Sequence, residues 1–161
     1  MSVGEGTIQQ TAQRDTLRII GFALLVLALV VTGYLSYVKL TNVQMVCVET
    51  STFNCDSVNS SIYSYFPRGN GIPVAYLGFL TWIVIGAILL LENRVAFLQQ
   101  YGAMLALGIA LFGFIFQSYL TYVSATIIGS LCPWCLTAHI LIGLMALTQG
   151  IRVYRSLFAG R

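Results

Sequence analysis

Leu131-Cys132-Pro133-Trp134-Cys135-Leu136-Thr137-Ala138-His139, running on through apolar residues to Ile151, decides how this chain is read. The segment is long enough to cross a bilayer, for which about 20 apolar residues suffice, and it opens on a C-x-x-C pair. Two cysteines in this spacing at a helix start lie about one turn apart on one face. Unpaired N–H groups and the helix dipole at that terminus stabilise a thiolate and lower the pKa of the first thiol. Cys132 is therefore expected to be the exposed, exchanging sulfur. Cys135 sits deeper by about 4–5 Å, at 1.5 Å rise per residue. His139 follows one turn further, so the face reads thiol, thiol, imidazole from the surface inward.

Working outward, three more segments share the apolar character, roughly 17–40, 73–91 and 95–123, with the fourth at 131–151. The apolar fraction is 58% and the charged fraction only 8%, with a mean hydropathy of +0.85. Such a composition excludes an ordinary soluble protein. Spanning segments must satisfy their own backbone groups, which helices do. The expected fold is all-α: one integral membrane domain over 1–161, a four-helix bundle with a loop at 41–72. The first segment is expected to stay, because its apolar run is too long for a signal-peptide core and no small-residue cleavage site follows it.

Cations set the orientation. Arg14 and Arg18 precede the first segment, Arg94 separates the second from the third, and Arg152, Arg155 and Arg161 follow the fourth. Only Lys39 and Arg68 lie on the other side. The positive-inside rule then puts both termini in the cytoplasm and the 41–72 loop and the 124–130 connection outside. Lys39 is expected to snorkel to the outer headgroups. The net charge of +3 is thus topological, and no basic stripe with interleaved aromatics suggests nucleic acid.

The loop holds the only other cysteines, Cys47 and Cys55, so both pairs fall in the compartment where disulfides persist. Beyond Cys55, Val58, Ile62, Tyr65 and Phe66 share a helical face, predicting a short amphipathic helix at the interface. Asp56 or Ser57 would cap it and Pro67 end it. Pro73 suits the first turn of the second spanning helix. In the third helix Gly102, Ala106 and Ala110 recur at the small-residue spacing that lets backbones approach. Gln117, Ser118, Tyr119 and Thr121 follow near its outer end, where polar groups face a bundle interior. Tyr119 and Tyr122 also suit an interfacial belt.

The chain has no phosphate loop, H-E-x-x-H or Gly-rich dinucleotide motif, and its carboxylates (Glu5, Asp15, Glu49, Asp56, Glu92) lie outside the spans. A carboxylate relay of the proton-coupled transporter kind is missing. Four cysteines allow three pairings. Structural disulfides are one reading, although a C-x-x-C bridge closes too small a loop to restrict the unfolded chain much. A four-thiol metal site is another, since zinc takes four such ligands. A redox relay through mixed disulfides is the third. A thiol pair at the edge of lipid suits transfer to a quinone, with His139 or water handling protons; a hydrogen-bonded core histidine is the competing reading for His139.

Several of these elements together resemble the vitamin K epoxide reductase family, in its bacterial quinone-linked branch. They are Cys47-x7-Cys55, the run Cys55-Asp56-Ser57-Val58-Asn59-Ser60-Ser61, Asn70-Gly71-Ile72-Pro73-Val74-Ala75, and Cys132-Pro133-Trp134-Cys135 opening the fourth helix. The resemblance implies four helices around a quinone site, capped by the first loop. It implies that Cys47 exchanges with a thioredoxin-like extracytoplasmic protein, that Cys55 relays to Cys132, and that Cys135 meets the quinone, a ubiquinone or menaquinone. It matches Ser61 to a loop serine and Asn70 to an asparagine that holds a quinone oxygen in the animal enzymes. His139 stands where those enzymes have tyrosine, which points away from epoxide reduction and leaves quinone reduction. With no thioredoxin-like domain in the chain, the partner is expected to be separate. The expected setting is the bacterial plasma membrane, and the activity a thiol:quinone oxidoreductase supporting disulfide formation. Reduction of vitamin K quinone or epoxide, and thiol-based metal binding, are the alternatives.

Overall fold

A computed structural model describes residues 3–47 and 49–158, with side chains from Thr16 onward. Arg14 and Arg161, used above for orientation, and the carboxylates Glu5 and Asp15 lie outside the described side chains. The chain is 79% helical, so the all-α reading holds. Helix α1 runs Val3–Thr41, α2 Cys55–Ser60, α3 Val74–Leu91, α4 Ala96–Val123 and α5 Pro133–Phe158. Two-residue strands, β1 Tyr65–Phe66 and β2 Ile72–Pro73, pair antiparallel between α2 and α3.

Four stretches are long and apolar enough to cross a membrane: Thr16–Thr41, Val74–Leu91, Ala96–Ile128 and Pro133–Phe158. The first helix is longer than its apolar run, since nothing in the polar residues before Thr16 breaks it and helical hydrogen bonding continues. It stops where Asn42 turns to φ 51°, the left-handed conformation that closes many helices. Pro133 opens α5 at the one position where a missing N–H costs nothing. Pro73 does not start α3 but precedes it as the cap, because its carbonyl side is held in the β1–β2 ladder. Residues 124–128, expected as a plain connection, form a π-helical turn. Gly129 at φ 71° and the Ser130 N–H on the Ser124 carbonyl (3.1 Å) finish it.

The helices close a ring: α1 lies along α3 and α5, and α4 along α3 and α5. Its centre is apolar, with Ala28, Ile85, Ala110 and Met145 fully buried, while Val30, Leu80, Ile115 and Ile140 face outward and stay exposed. Lipid tails are as apolar as leucine, so close packing rather than apolar burial must hold such helices together. Glycine provides it here. Leu25 lies against Gly86, and Phe114 lies so close to Gly143 that an added Cβ would stand 3.0 Å from its ring. The stripe Gly102, Ala106 and Ala110 is buried, as its spacing predicts. Gly102 faces Ile88 and Glu92 of α3.

At the end of the ring away from the cysteines, Arg152 donates to Glu92 (2.5 Å) and to Gln149 (2.9 Å). Gln149 is wholly buried. This joins α3 to α5 where Arg18 and Arg94 also lie.

Candidate active site

Connectivity puts the 42–72 loop, the start of α5 and the end of α4 at one end of the ring. What the loop does there is determined by three contacts that hold it against α5 and α1. The Leu131 N–H donates to the Thr52 carbonyl (2.9 Å), and the Asn54 N–H donates to the Leu131 carbonyl (3.1 Å). Phe53 and Leu131 thus form a one-residue parallel bridge. Because Cys55 comes two residues after Phe53 and Cys132 one after Leu131, the bridge sets the register of the two cysteines. The second contact is at Val46. Its N–H donates to the Tyr34 hydroxyl (3.0 Å) and its carbonyl accepts from Trp134 Nε1 (2.9 Å). The Tyr34 and Trp134 rings also pack together, tilted by 44° with centres 4.7 Å apart. The residue beside Cys47 is therefore gripped on both sides by α1 and by the C-x-x-C segment.

The third contact corrects the expectation for Lys39. Its Nζ does not reach toward headgroups but folds inward, donating to the Asn59 carbonyl (2.5 Å) and to Ser64 Oγ (3.1 Å). It also lies over the Tyr65 ring at 4.3 Å. The carbonyl at the end of the short helix and a nearby hydroxyl together outcompete water for the ammonium.

The loop helix is shorter than its apolar spacing predicts. Asn54, not Asp56 or Ser57, caps it: Asn54 Oδ1 accepts the Ser57 N–H at 2.9 Å. The helix ends at Ser60, a 3₁₀ turn follows at Ile62–Ser64, and Tyr65 and Phe66 go into the strand pair. Ile62 and Phe66 remain exposed. The strand pair draws the chain out of helix because Gly71 lets it fold back tightly. A Cβ on Gly71 would stand 2.2 Å from the Phe66 backbone.

Cys47 and Cys55 form a disulfide, with Cα atoms 6.1 Å apart. Cys132 and Cys135 are free thiols. Cys55 is 1% exposed and Cys132 2%, so Cys132 is buried rather than exposed as expected, because Met45 and Cys55 of the loop pack on it. These two pack in one cluster with Val38 and Met45, and Cys47, Trp134 and Cys135 border it. All four sulfurs are thus brought together. A hydrogen bond from the Cys135 thiol pulls the Cys132 pKa down from 9.0 to about 7. Burial opposes that shift, while the N–H groups of Cys135 and Trp134 assist it.

Beneath the sulfurs lies a cavity of about 120 Å³ walled by Leu35, Val74, Gln117, Leu120, Cys135 and Leu136, among others. A cleft of about 510 Å³ between α3 and α4 shares Thr32, Val74, Gly78, Gln117 and Ala138 with it and opens past exposed Leu80 and Phe112. Gln117 Nε2 donates to the Cys135 carbonyl at 3.2 Å. Mostly apolar walls with a few placed polar groups are the usual make-up of a small-molecule site.

Three expected site residues stand elsewhere. His139 lies a turn below Cys135, but its ring is engaged by α4. Nε2 meets Ser118 Oγ at 3.0 Å, Nδ1 meets Thr121 Oγ1 at 3.3 Å, and Phe114 packs on the ring at 4.9 Å. It does not line the cavity. Asn70 sits exposed in the turn between β1 and β2, away from the cavity wall. Ser61 closes α2, its hydroxyl donating to the Val58 carbonyl at 2.8 Å. Sequence reasoning missed Tyr34, Trp134 and Gln117 as site residues. For Trp134 a sign was present, a large polar-tipped aromatic between two redox cysteines. Among the described residues, no three His, Cys, Asp or Glu side chains are placed to hold a metal ion.

A helical membrane bundle that gathers a disulfide and a dithiol over an apolar cavity defines the class: a membrane thiol oxidoreductase. The profile of the Vitamin K epoxide reductase family matches residues 19–149, most of the chain and all four cysteines. The protein belongs to that family, whose members are thiol/quinone oxidoreductases.

Proposed function

We propose that the protein oxidises a thioredoxin-like extracytoplasmic dithiol and passes the electron pair to a quinone, supporting disulfide formation in exported proteins. A partner thiolate attacks the Cys47–Cys55 disulfide at Cys47, and closure of the partner's own disulfide leaves Cys47 and Cys55 reduced. Cys55 then attacks Cys132 of an oxidised Cys132–Cys135 pair. Cys47 resolves that mixed disulfide, restoring Cys47–Cys55 and leaving Cys132 and Cys135 as thiols. This is the pairing found here. Two electrons and two protons then leave for the quinone, and Cys132–Cys135 re-forms.

The observation that carries the reading is the shared burial of Cys55 and Cys132 in the wall of a cavity that Cys135 also lines. When Cys47 resolves the mixed disulfide, Cys132 is the leaving sulfur, and a thiol pKa near 7 makes it a good one. Cys135 and the apolar cavity wall would hold a quinone ring, and the cleft between α3 and α4 would take its apolar tail. Gln117, fixed on the Cys135 carbonyl, is the polar side chain best placed to meet a ring oxygen; His139 orients α5 against α4.

Orientation follows the same proposal. Lys39 and Arg68 share the cysteine end, whereas Arg18, Arg94, Arg152 and Arg155 lie at the other. The site then faces outward, with both termini in the cytoplasm, as in a bacterial plasma membrane.

The test is turnover. Purified protein given a reduced thioredoxin-like protein and a soluble quinone should consume thiols and quinone in equal amounts, and Cys135→Ala should stop both. Undiminished quinone reduction by that variant overturns the assignment.

A further inference from the structure

Nothing in the cysteine chemistry accounts for the inward turn of Lys39. Among the described residues it is the only charged one lining the cavity, and it spends its donors on the loop, at Asn59 and Ser64. The single Ser64 O–H is shared between the Asn59 and Ser61 carbonyls, 2.7 and 2.8 Å from Oγ. The ammonium thus organises the whole exit of α2. That helix has six residues, far fewer than the roughly 12 an isolated helix needs to persist in water, so its position depends on what holds its ends.

At its start the ties are the Asn54 cap and the Leu131 bridge. The disulfide adds a third tie at that same end, through Cys47 to its neighbour Val46, which Tyr34 and Trp134 hold. At its end the tie is Lys39, anchored in the last turn of α1. A cation there also suits the negative end of the short helix. Val38, next to Lys39, packs with Cys55 and Cys132 in one cluster. The start of α2 is therefore fixed to the segment that carries Cys132, and its end to α1.

We propose that Lys39 is a positioning residue for the relay: its contacts with Asn59 and Ser64 latch α2 to α1 and hold Cys55 in bonding register with Cys132. The proposal rests on the relay reading above. It concerns reach rather than chemistry, because holding two reacting groups in place raises their effective concentration.

The latch is measured without quinone. In a Cys47→Ser/Cys135→Ser background only Cys55 and Cys132 can pair, and their disulfide is titrated against a glutathione redox buffer. Adding Lys39→Met should lower the effective concentration of that pair by about tenfold, the weight of one charged hydrogen bond. In a Cys132→Ser/Cys135→Ser background the Cys47–Cys55 pair should change by less than about threefold on the same substitution. Ser64→Ala, which keeps the lysine and removes one acceptor, should shift the Cys55–Cys132 pair in the same direction and provides the measurement if Lys39→Met does not fold. An unchanged Cys55–Cys132 equilibrium overturns the latch, and so does an equal fall in both pairs, which would mean general loosening. Failure of the functional reading looks different: the intact protein would not reduce quinone, whatever the equilibria of the trapped pairs.

Discussion

Trp134 joins the two halves of the redox centre through one indole N–H. Substituting Trp134→Phe keeps a ring on Tyr34 but removes the bond to the Val46 carbonyl. A single net hydrogen bond is worth about 1 kcal/mol, so denaturant unfolding in detergent should show a loss of that order, and proteases should cut the 42–54 region faster. Unchanged cutting would mean that Tyr34 alone holds Val46. At Cys132 the expected observable is a titration. With its pKa near 7, the reduced protein should show thiolate absorbance rising through about pH 7, well before an ordinary thiol. The depressed value favours the folded thiolate, so its stabilising effect is complete above pH 9 and is lost as pH falls through 7. Cys135→Ala removes the largest cause, the thiol donor, and should move the midpoint upward. At this scale the cysteines and the lowered first thiol were readable from spacing alone. The inward Lys39 and the bound His139 were not, since each depends on acceptors supplied by another element.

Among the elements, the loop departs most from its sequence pattern. Val58, Ile62, Tyr65 and Phe66 fit a helical face, but a strand pair claims the last two. Local periodicity describes one element at a time, and the antiparallel partner Ile72–Pro73 lies beyond Pro67-Arg68-Gly69-Asn70-Gly71. Gly71→Ala tests that account. With backbone atoms 2.2 Å from the added carbon, the turn cannot re-form, and amide exchange in residues 65–73 should speed up while α3 stays protected. Asn54→Ala removes the cap of α2, a substitution that typically costs about 1 kcal/mol. Its expected readout is slower trapping of a Cys55–Cys132 disulfide, with the helical content of the four long helices unchanged by circular dichroism. Equal trapping rates would mean that the Leu131 bridge alone fixes the start of α2.

For the molecule as a whole, the two ends of the ring have separate duties. The Glu92–Arg152 pair lies opposite the cysteines and is largely shielded, its side chains 14% and 15% exposed. Removing one member of such a pair strands the other, at a cost of about 3–5 kcal/mol. Glu92→Ala should therefore lower thermal stability in detergent sharply, while the thiol titration of Cys132 stays where it was; a displaced titration would show that the ends are coupled. The sequence by itself determined the four spanning helices, the small-residue stripe of α4, the cation asymmetry and the presence of two thiol pairs, because length, hydropathy and residue spacing are local quantities that lipid acts on directly. Only the tertiary structure decided that Leu131 sets the register of the loop, that Lys39 turns in rather than out, and that Gln117 rather than His139 or Asn70 walls the cavity. Those outcomes depend on which donors and acceptors meet when the ring closes, and that meeting is between residues far apart along the chain.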